Sequence, residues 1–161
     1  MDILDSKNWS SGSGNSLDLT TVSQEVLDHY NKNKKIFIGS DSFHSRSKIC
    51  FVTTVCLLTE RLGGRYYFYK ENISPKRYST LAARITEEVR RSIELAEYFM
   101  ENHNIPPEML ELHLDVSPFA AKNGTSPLSE MLKGYVQGYG LGCKLKPDAW
   151  ASQSVADRHS K

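Results

Sequence analysis

The order of segments along the chain predicts a mixed α/β fold. After a short leading helix come three strands in succession, then a long helix, a strand, a second helix, a short strand and a closing helix, βββαβαβα. Three observations carry this reading. The stretch 35–73 is rich in Val, Ile, Thr, Phe and Tyr and is interrupted only by short turn-forming segments, which gives it strand character. From Ser79 the apolar period lengthens to about 3.6 residues, the period of a helix. At Leu110 the segment LELHLDV returns to strict alternation.

Element by element, the Ser/Gly-rich stretch Ser10 to Ser16 reads as a flexible lead-in, so residues 1–19 are expected as a flexible segment and 20–161 as one domain. A helix follows, capped by Thr20 or Thr21 and carrying Val22, Val26, Leu27 and Tyr30 until NKNKK stops it. KIFIGSDSF from Lys35, KICFVTTVCLLTE from Lys48 and RYYFYKENI from Arg65 are three strands of an antiparallel meander, joined through HSRS and a Leu-Gly-Gly turn. STLAARITEEVRRSIELAEYFMENH makes a helix of about six turns, with Leu81, Ile85, Val89, Ser92, Ile93, Ala96 and Met100 facing the core. Pro106 and Pro107 punctuate before the fourth strand. SEMLKGYVQGYG is the second helix of this half, CKLKP from Cys143 a short fifth strand, and DAWASQSVADRHS a closing helix.

Few topologies accommodate this order. A right-handed crossover through the long helix lays the fourth strand parallel beside the first, and a second crossover adds the fifth. The expected sheet is five-stranded, order 3-2-1-4-5, with strand 2 antiparallel and helices on both faces. The exposed edges of the third and fifth strands offer surfaces for a homodimer.

Composition narrows the function classes. The chain has 161 residues, 39% apolar, with 20 basic and 19 acidic side chains and a formal charge of +1. That is the size of one domain with a core of its own, and it lacks the one-signed field that wraps nucleic acid by charge alone. The three cysteines show neither CxxC nor His-paired spacing, so free thiols are expected rather than disulfides or a zinc site. No apolar run reaches membrane-spanning length and MDILDSKNWSSGSGNS lacks the features of a signal peptide, so the expectation is a soluble cytoplasmic protein.

The acidic residues carry the chemistry. Asp41 ends the first strand in IGSDS, and Asp115 ends the fourth in HLDVS. Singly, each is equally well a turn-starting or strand-terminating aspartate that bonds local amides. If the two strands are parallel neighbours, both carboxylates emerge at the same edge, and their proximity calls for a cation between them. On the long helix, the helical wheel places Glu88 beside Ile85 and Ser92, whereas Glu87 falls among Arg84, Arg90, Arg91 and Glu94 on the solvated face. A carboxylate on the packed side either pairs with a cation or binds a metal, and Glu88 is the candidate. The closing helix offers Asp148, which also suits a helix cap, and Asp157, which shares a face with Trp150 and Ser154; either is a candidate fourth ligand. His159 beside Asp157 reads as exposed. His113 shares a strand face with Glu111 and Asp115, either near substrate or on a partly covered face.

IGSDS, a Glu on the first long helix, HLDVS followed by KNGTS, and KLKPDAWASQSVADRHSK together resemble the YkuK-type branch of predicted ribonuclease-H-like proteins, from Lys35 to Lys161. The KPDAWAS segment is the most specific part. The resemblance implies a ribonuclease H-like fold and an acidic site for two divalent ions, Mg²⁺ or Mn²⁺, with the last acid on the terminal helix, where Asp157 stands. The implied activity is metal-dependent hydrolysis of phosphodiester bonds in RNA or DNA. In it Asp41 bridges two ions about 4 Å apart, and Glu88 and Asp115 complete their shells. Candidate phosphate contacts are Arg46, Lys48, Lys76, Arg77, Lys122, Arg158 and Lys161, though basic residues at element ends are also ordinary surface. The rival reading is a catalytically inactive nucleic-acid-binding or scaffold protein that keeps the fold and acts with a partner. Convergence of Asp41, Glu88, Asp115 and a terminal-helix acid discriminates the two.

Overall fold

A computed structural model describes residues 3–59, 63–116, 126–146 and 148–151 of the chain. Its strands are β1 (Trp9–Ser11), β2 (Ser16–Leu17), β3 (Ile36–His44), β4 (Ile49–Thr59), β5 (Gly63–Ile73), β6 (Leu110–His113) and β7 (Gly142–Lys144). Its helices are α1 (Leu19–Asn31), α2 (Leu81–His103) and α3 (Ser126–Gln137). They form one mixed sheet of order β2-β1-β5-β4-β3-β6-β7. The pairs β3/β6 and β6/β7 are parallel and the remaining pairs antiparallel.

The five expected strands stand as neighbours within this sheet, but the count is corrected to seven. The two additional strands come from the segment read as a flexible lead-in. Trp9 explains why that segment is ordered. It is 1% exposed, meets Tyr69 edge-on at 4.9 Å between ring centroids, and donates its indole N–H to the Leu4 carbonyl at 3.2 Å. The Ser/Gly run after it is a hairpin turn: Ser11 N–H bonds Asn15 O, and Gly14 takes a φ of +97° that favours glycine. Gly12 lies directly on the Tyr66 ring, where a Cβ would come within 2.6 Å of a ring carbon. Because β1 covers β5, the third strand of the expected sheet is no free edge; β2 and β7 are the edges among the described residues.

Helix α1 is capped by Asp18, whose carboxylate accepts from Thr21 N–H at 2.8 Å, in place of the expected Thr20 or Thr21. Thr80 caps α2 in the same way through Ala83 N–H, and Asn104 in the left-handed conformation closes it. Ile85, Val89, Ile93, Ala96 and Phe99 of α2 are buried in one core with Val22 and Val26 of α1, Leu132 and Val136 of α3, and Ile36, Ile38, Leu110 and Leu112 of the central strands. Each large apolar side chain in that core contributes about 1.5–3 kcal/mol on leaving water. Leu81, expected in the stripe, is the first residue of α2 and is 45% exposed, bordering a cavity rather than the core.

The three described helices thus pack on one face of the sheet. On the other face Phe37 and His113 meet Trp150, at 5.0 Å and 4.9 Å between ring centroids respectively. Most of the closing helix expected there lies outside the described residues, so helices on both faces are an expectation for that side. No helix among the described residues is long and apolar enough to cross a membrane.

Candidate metal centre

Strand β3 runs past the end of β6. Their pairing stops at Gly39 opposite His113, so among the described residues no strand lies beside Ser40 to His44 on that side. Helix α2 crosses this notch and is fixed there by polar contacts. Ser92 shares a 2.9 Å hydrogen bond with Ser40, which also donates to Thr53, and one turn earlier Glu88 accepts from Ser42 Oγ at 2.5 Å. Strand alternation turns Asp41 away from the helical face that Ser40 and Ser42 occupy. With no neighbouring strand in the way, its carboxylate meets that of Glu88 across the notch, and Asp115 follows from just beyond β6.

The outcome is a group of three carboxylates, each offering one oxygen within 4.8 Å of the others. Asp41 and Glu88 are buried and Asp115 is partly exposed. A cavity of about 180 Å³ opens onto them, lined also by Ser42, Leu81, Arg84, Ile85 and Lys146. Lys146 Nζ lies 3.0 Å from Asp115 Oδ1. Glu88 Oε1 is buried and has no hydrogen-bond partner among the described residues, and the same holds for Arg84 Nε. Burial above all pushes the Glu88 carboxyl well above the usual range. The neighbouring Asp41 and Asp115 charges add to this, against the Ser42 hydrogen bond and the Arg84 charge. A buried carboxylate with a free oxygen, crowded by two others, is an arrangement that a hard divalent cation relieves, and the all-oxygen donor set suits Mg²⁺ or Mn²⁺.

Asp41, Glu88 and Asp115 are therefore brought together as the sequence anticipates. Asp148 is exposed and stands outside the group. Asp157, Arg158, His159, Lys161 and Lys122 lie outside the described residues. Arg46 and Lys48 are exposed in the β3–β4 connection, Lys76 and Arg77 are exposed before α2, and none of the four lines the cavity. The basic side chains that do line it, Arg84 and Lys146, were not singled out by the sequence. Their signal was present but weak: Arg84 precedes Glu88 by one helical turn, and Lys146 stands at the end of the fifth strand, parallel to Asp115 on the fourth.

One further expectation is corrected, for Glu87, and one alternative is decided, for His113, in favour of the covered sheet face. Glu87, assigned to the solvated face, is buried; it holds Arg90 at 2.7 Å and Arg91 at 2.8 Å, and Arg91 continues to Glu71 at 2.7 Å. Arg91 also stacks over Phe51, 4.4 Å from the ring centroid. The helical wheel shows no strand, and here β4 and β5 carry Phe51 and Glu71 to a face that the helix alone would leave in water. His113, 1% exposed, is a strut rather than a free group. Its Nδ1 accepts from Ala151 N–H at 3.1 Å, which leaves Nε2–H to donate to Glu111 at 3.1 Å. Burial lowers its pKa, against the pull of Glu111. The free thiols expected of the cysteines are found at Cys50, Cys56 and Cys143; burial pushes Cys56 up to about 12.

Among comparisons with known proteins, the family model described as Ribonuclease H-like matches residues 19–161. No curated protein and no solved structure gives a significant match. The match spans nearly the whole chain, including the strands and helix that bring the three carboxylates together, in keeping with the YkuK-type resemblance: the chain belongs to the Ribonuclease H-like family.

Proposed function

We propose that this protein is a divalent-metal-dependent nuclease that hydrolyses phosphodiester bonds of RNA or DNA. The observation that carries the reading is the convergence of Asp41, Glu88 and Asp115, with Glu88 Oε1 buried and without a hydrogen-bond partner among the described residues. Asp41, Glu88 and Asp115 would hold Mg²⁺ or Mn²⁺. The ion would supply Lewis-acid polarisation of a phosphoryl oxygen and a water of lowered pKa. The chain's own part is to position. Ser42 orients the Glu88 carboxylate and favours its charged form. Arg84, on the cavity wall, would offer its guanidinium to a phosphate oxygen of the strand. The cytoplasm, where such substrates and free thiols occur together, is the compartment this reading assigns.

The test is cleavage of labelled single-stranded RNA, single-stranded DNA and RNA–DNA hybrid with Mg²⁺ or Mn²⁺. Cleavage of at least one substrate, abolished by chelation and by Asp41→Asn in a folded protein, is expected. Nucleic-acid binding without cleavage, unchanged by Asp41→Asn, would favour the inactive binding or scaffold reading.

A further inference from the structure

We infer that Lys146 is a resident cation of the acidic cluster, standing where one of the two divalent ions implied by the family resemblance would otherwise bind. The inference rests on the reading that this cluster holds a metal, and it narrows that reading to one ion per chain.

The placement of Lys146 comes from the backbone. The parallel pairing of β6 with β7 ends at His113 opposite Lys144, but the ladder continues beyond both strands. Leu114 N–H bonds Lys144 O at 2.9 Å, and Lys146 N–H bonds Val116 O at 3.0 Å. Asp115 and Lys146 are thereby held abreast on adjacent segments, and the ion pair between them closes at 3.0 Å. An exposed lysine at a strand end ordinarily samples many rotamers and its pairing is worth little. This one is two-thirds buried, with 33% of its side chain accessible, on a main chain fixed at both flanks, and its ammonium lines the cavity that holds Asp41 and Glu88.

Charge bookkeeping points the same way. Among the described residues the fully ionised cluster carries three negative charges; Lys146 neutralises one at Asp115, and Arg84 on the same cavity wall adds a second positive charge, so what remains is no more than the charge of a single divalent ion. The ammonium also occupies one oxygen of the most accessible carboxylate, Asp115, which is the one an incoming second ion would reach first. Glu88 Oε1, deep in the notch and without a hydrogen-bond partner among the described residues, remains for the ion that does bind.

The experiment is calorimetric titration of Mn²⁺ into the full chain, comparing the wild type with Lys146→Met, Lys146→Gln, Lys146→Arg, Lys144→Met and Asp41→Asn, each checked for folding by thermal melting. The wild type is expected to bind one Mn²⁺ per chain, lost in Asp41→Asn. Lys146→Met and Lys146→Gln bind a second ion or bind the first at least about tenfold tighter, because a competing cation is gone. Lys146→Arg behaves as the wild type. Lys144→Met changes the affinity by less than about twofold, which separates a local effect from a general change of charge. Two ions in the wild type, or unchanged or weaker binding in both neutral Lys146 variants while Asp41→Asn still abolishes it, overturns the role of Lys146 alone. Absence of any binding in the wild type overturns the metal reading beneath it.

Discussion

Glu87 and Glu88 are consecutive residues of α2, both nearly buried, and they end in opposite electrostatic circumstances. Glu87 lies between Arg90 and Arg91, with Arg91 tied onward to Glu71 and Glu71 to Lys7, so every carboxylate in that cluster faces a guanidinium or an ammonium of the protein. Glu88 turns into the notch toward Asp41 and Asp115, holds one serine hydroxyl, and keeps a buried oxygen without a hydrogen-bond partner among the described residues. The first cluster is complete within the chain and serves stability. The second is short of positive charge, the deficit that the proposed cation would fill. One step along a helix, about 100° of rotation, separates buried charge that the chain pairs itself from buried charge that it leaves for the proposed ion.

The largest effect belongs to the completed cluster. Arg91→Met leaves Glu87 and Glu71 without a partner that is itself buried, and the expected loss of folding stability is about 3–5 kcal/mol, read by urea denaturation. A loss below about 1 kcal/mol would mean that the network is ornamental and the comparison fails.

The pH dependence is next, and its sign differs between the two glutamates. For Glu87, burial works upward, but the hydrogen bond from Arg90 and the charges of Arg91 and Arg90 prevail and hold it below the usual 4.5. For Glu71 burial is likewise outweighed, by Lys7 and Arg91. Their stabilisation is present above the unfolded pKa and lost as pH falls through the lowered folded values. Glu88 is raised, so in metal-free protein its contribution is present below 4.5 and lost as pH rises through the raised folded value. The difference in stability between the wild type and Glu88→Gln therefore widens with pH above 4.5, in favour of the variant. A difference that stays flat across that range would show that Glu88 is already compensated. Mn²⁺, competing with the proton on Glu88, restores the wild type increasingly as pH rises.

Ser42→Ala carries the smallest effect. It removes the hydroxyl that supports the charged form of Glu88, worth about 1 kcal/mol, and so weakens Mn²⁺ binding about fivefold with little change in fold. Unaltered affinity would mean that Ser42 packs against the carboxylate without orienting it.

Much of the fold and of the site was legible in the sequence, for identifiable reasons. β3 to β5 have a strand-forming composition bounded by turns, β6 and α2 have a clear period, and the rule that crossovers are right-handed then leaves almost one sheet order, which places Asp41 beside Asp115. Glu88 followed from the helical wheel because it shares a face with Ile85 and Ser92, and that face meets β3. What escaped has a common cause. Trp9, Glu71 and Phe51 act across segments distant in the chain, so the hairpin β1–β2 looked like a Ser/Gly linker and Glu87 like a surface residue. Lys146 was hidden similarly, since nothing local marks a lysine that a parallel ladder carries to an aspartate on the next segment. A wheel or an alternation pattern reports which side of an element is buried only when one neighbour does the burying.

The most direct test of the central claim is the thermal melting of wild type and Glu88→Gln near neutral pH, each with and without Mn²⁺. If the notch is a cation site whose buried carboxylate is carried at a cost to the fold, Glu88→Gln melts higher than the metal-free wild type by the equivalent of about 1–2 kcal/mol and no longer responds to Mn²⁺, while Mn²⁺ raises the melting temperature of the wild type. A variant that melts lower than the metal-free wild type, or that still gains the full increment from Mn²⁺, would contradict the account.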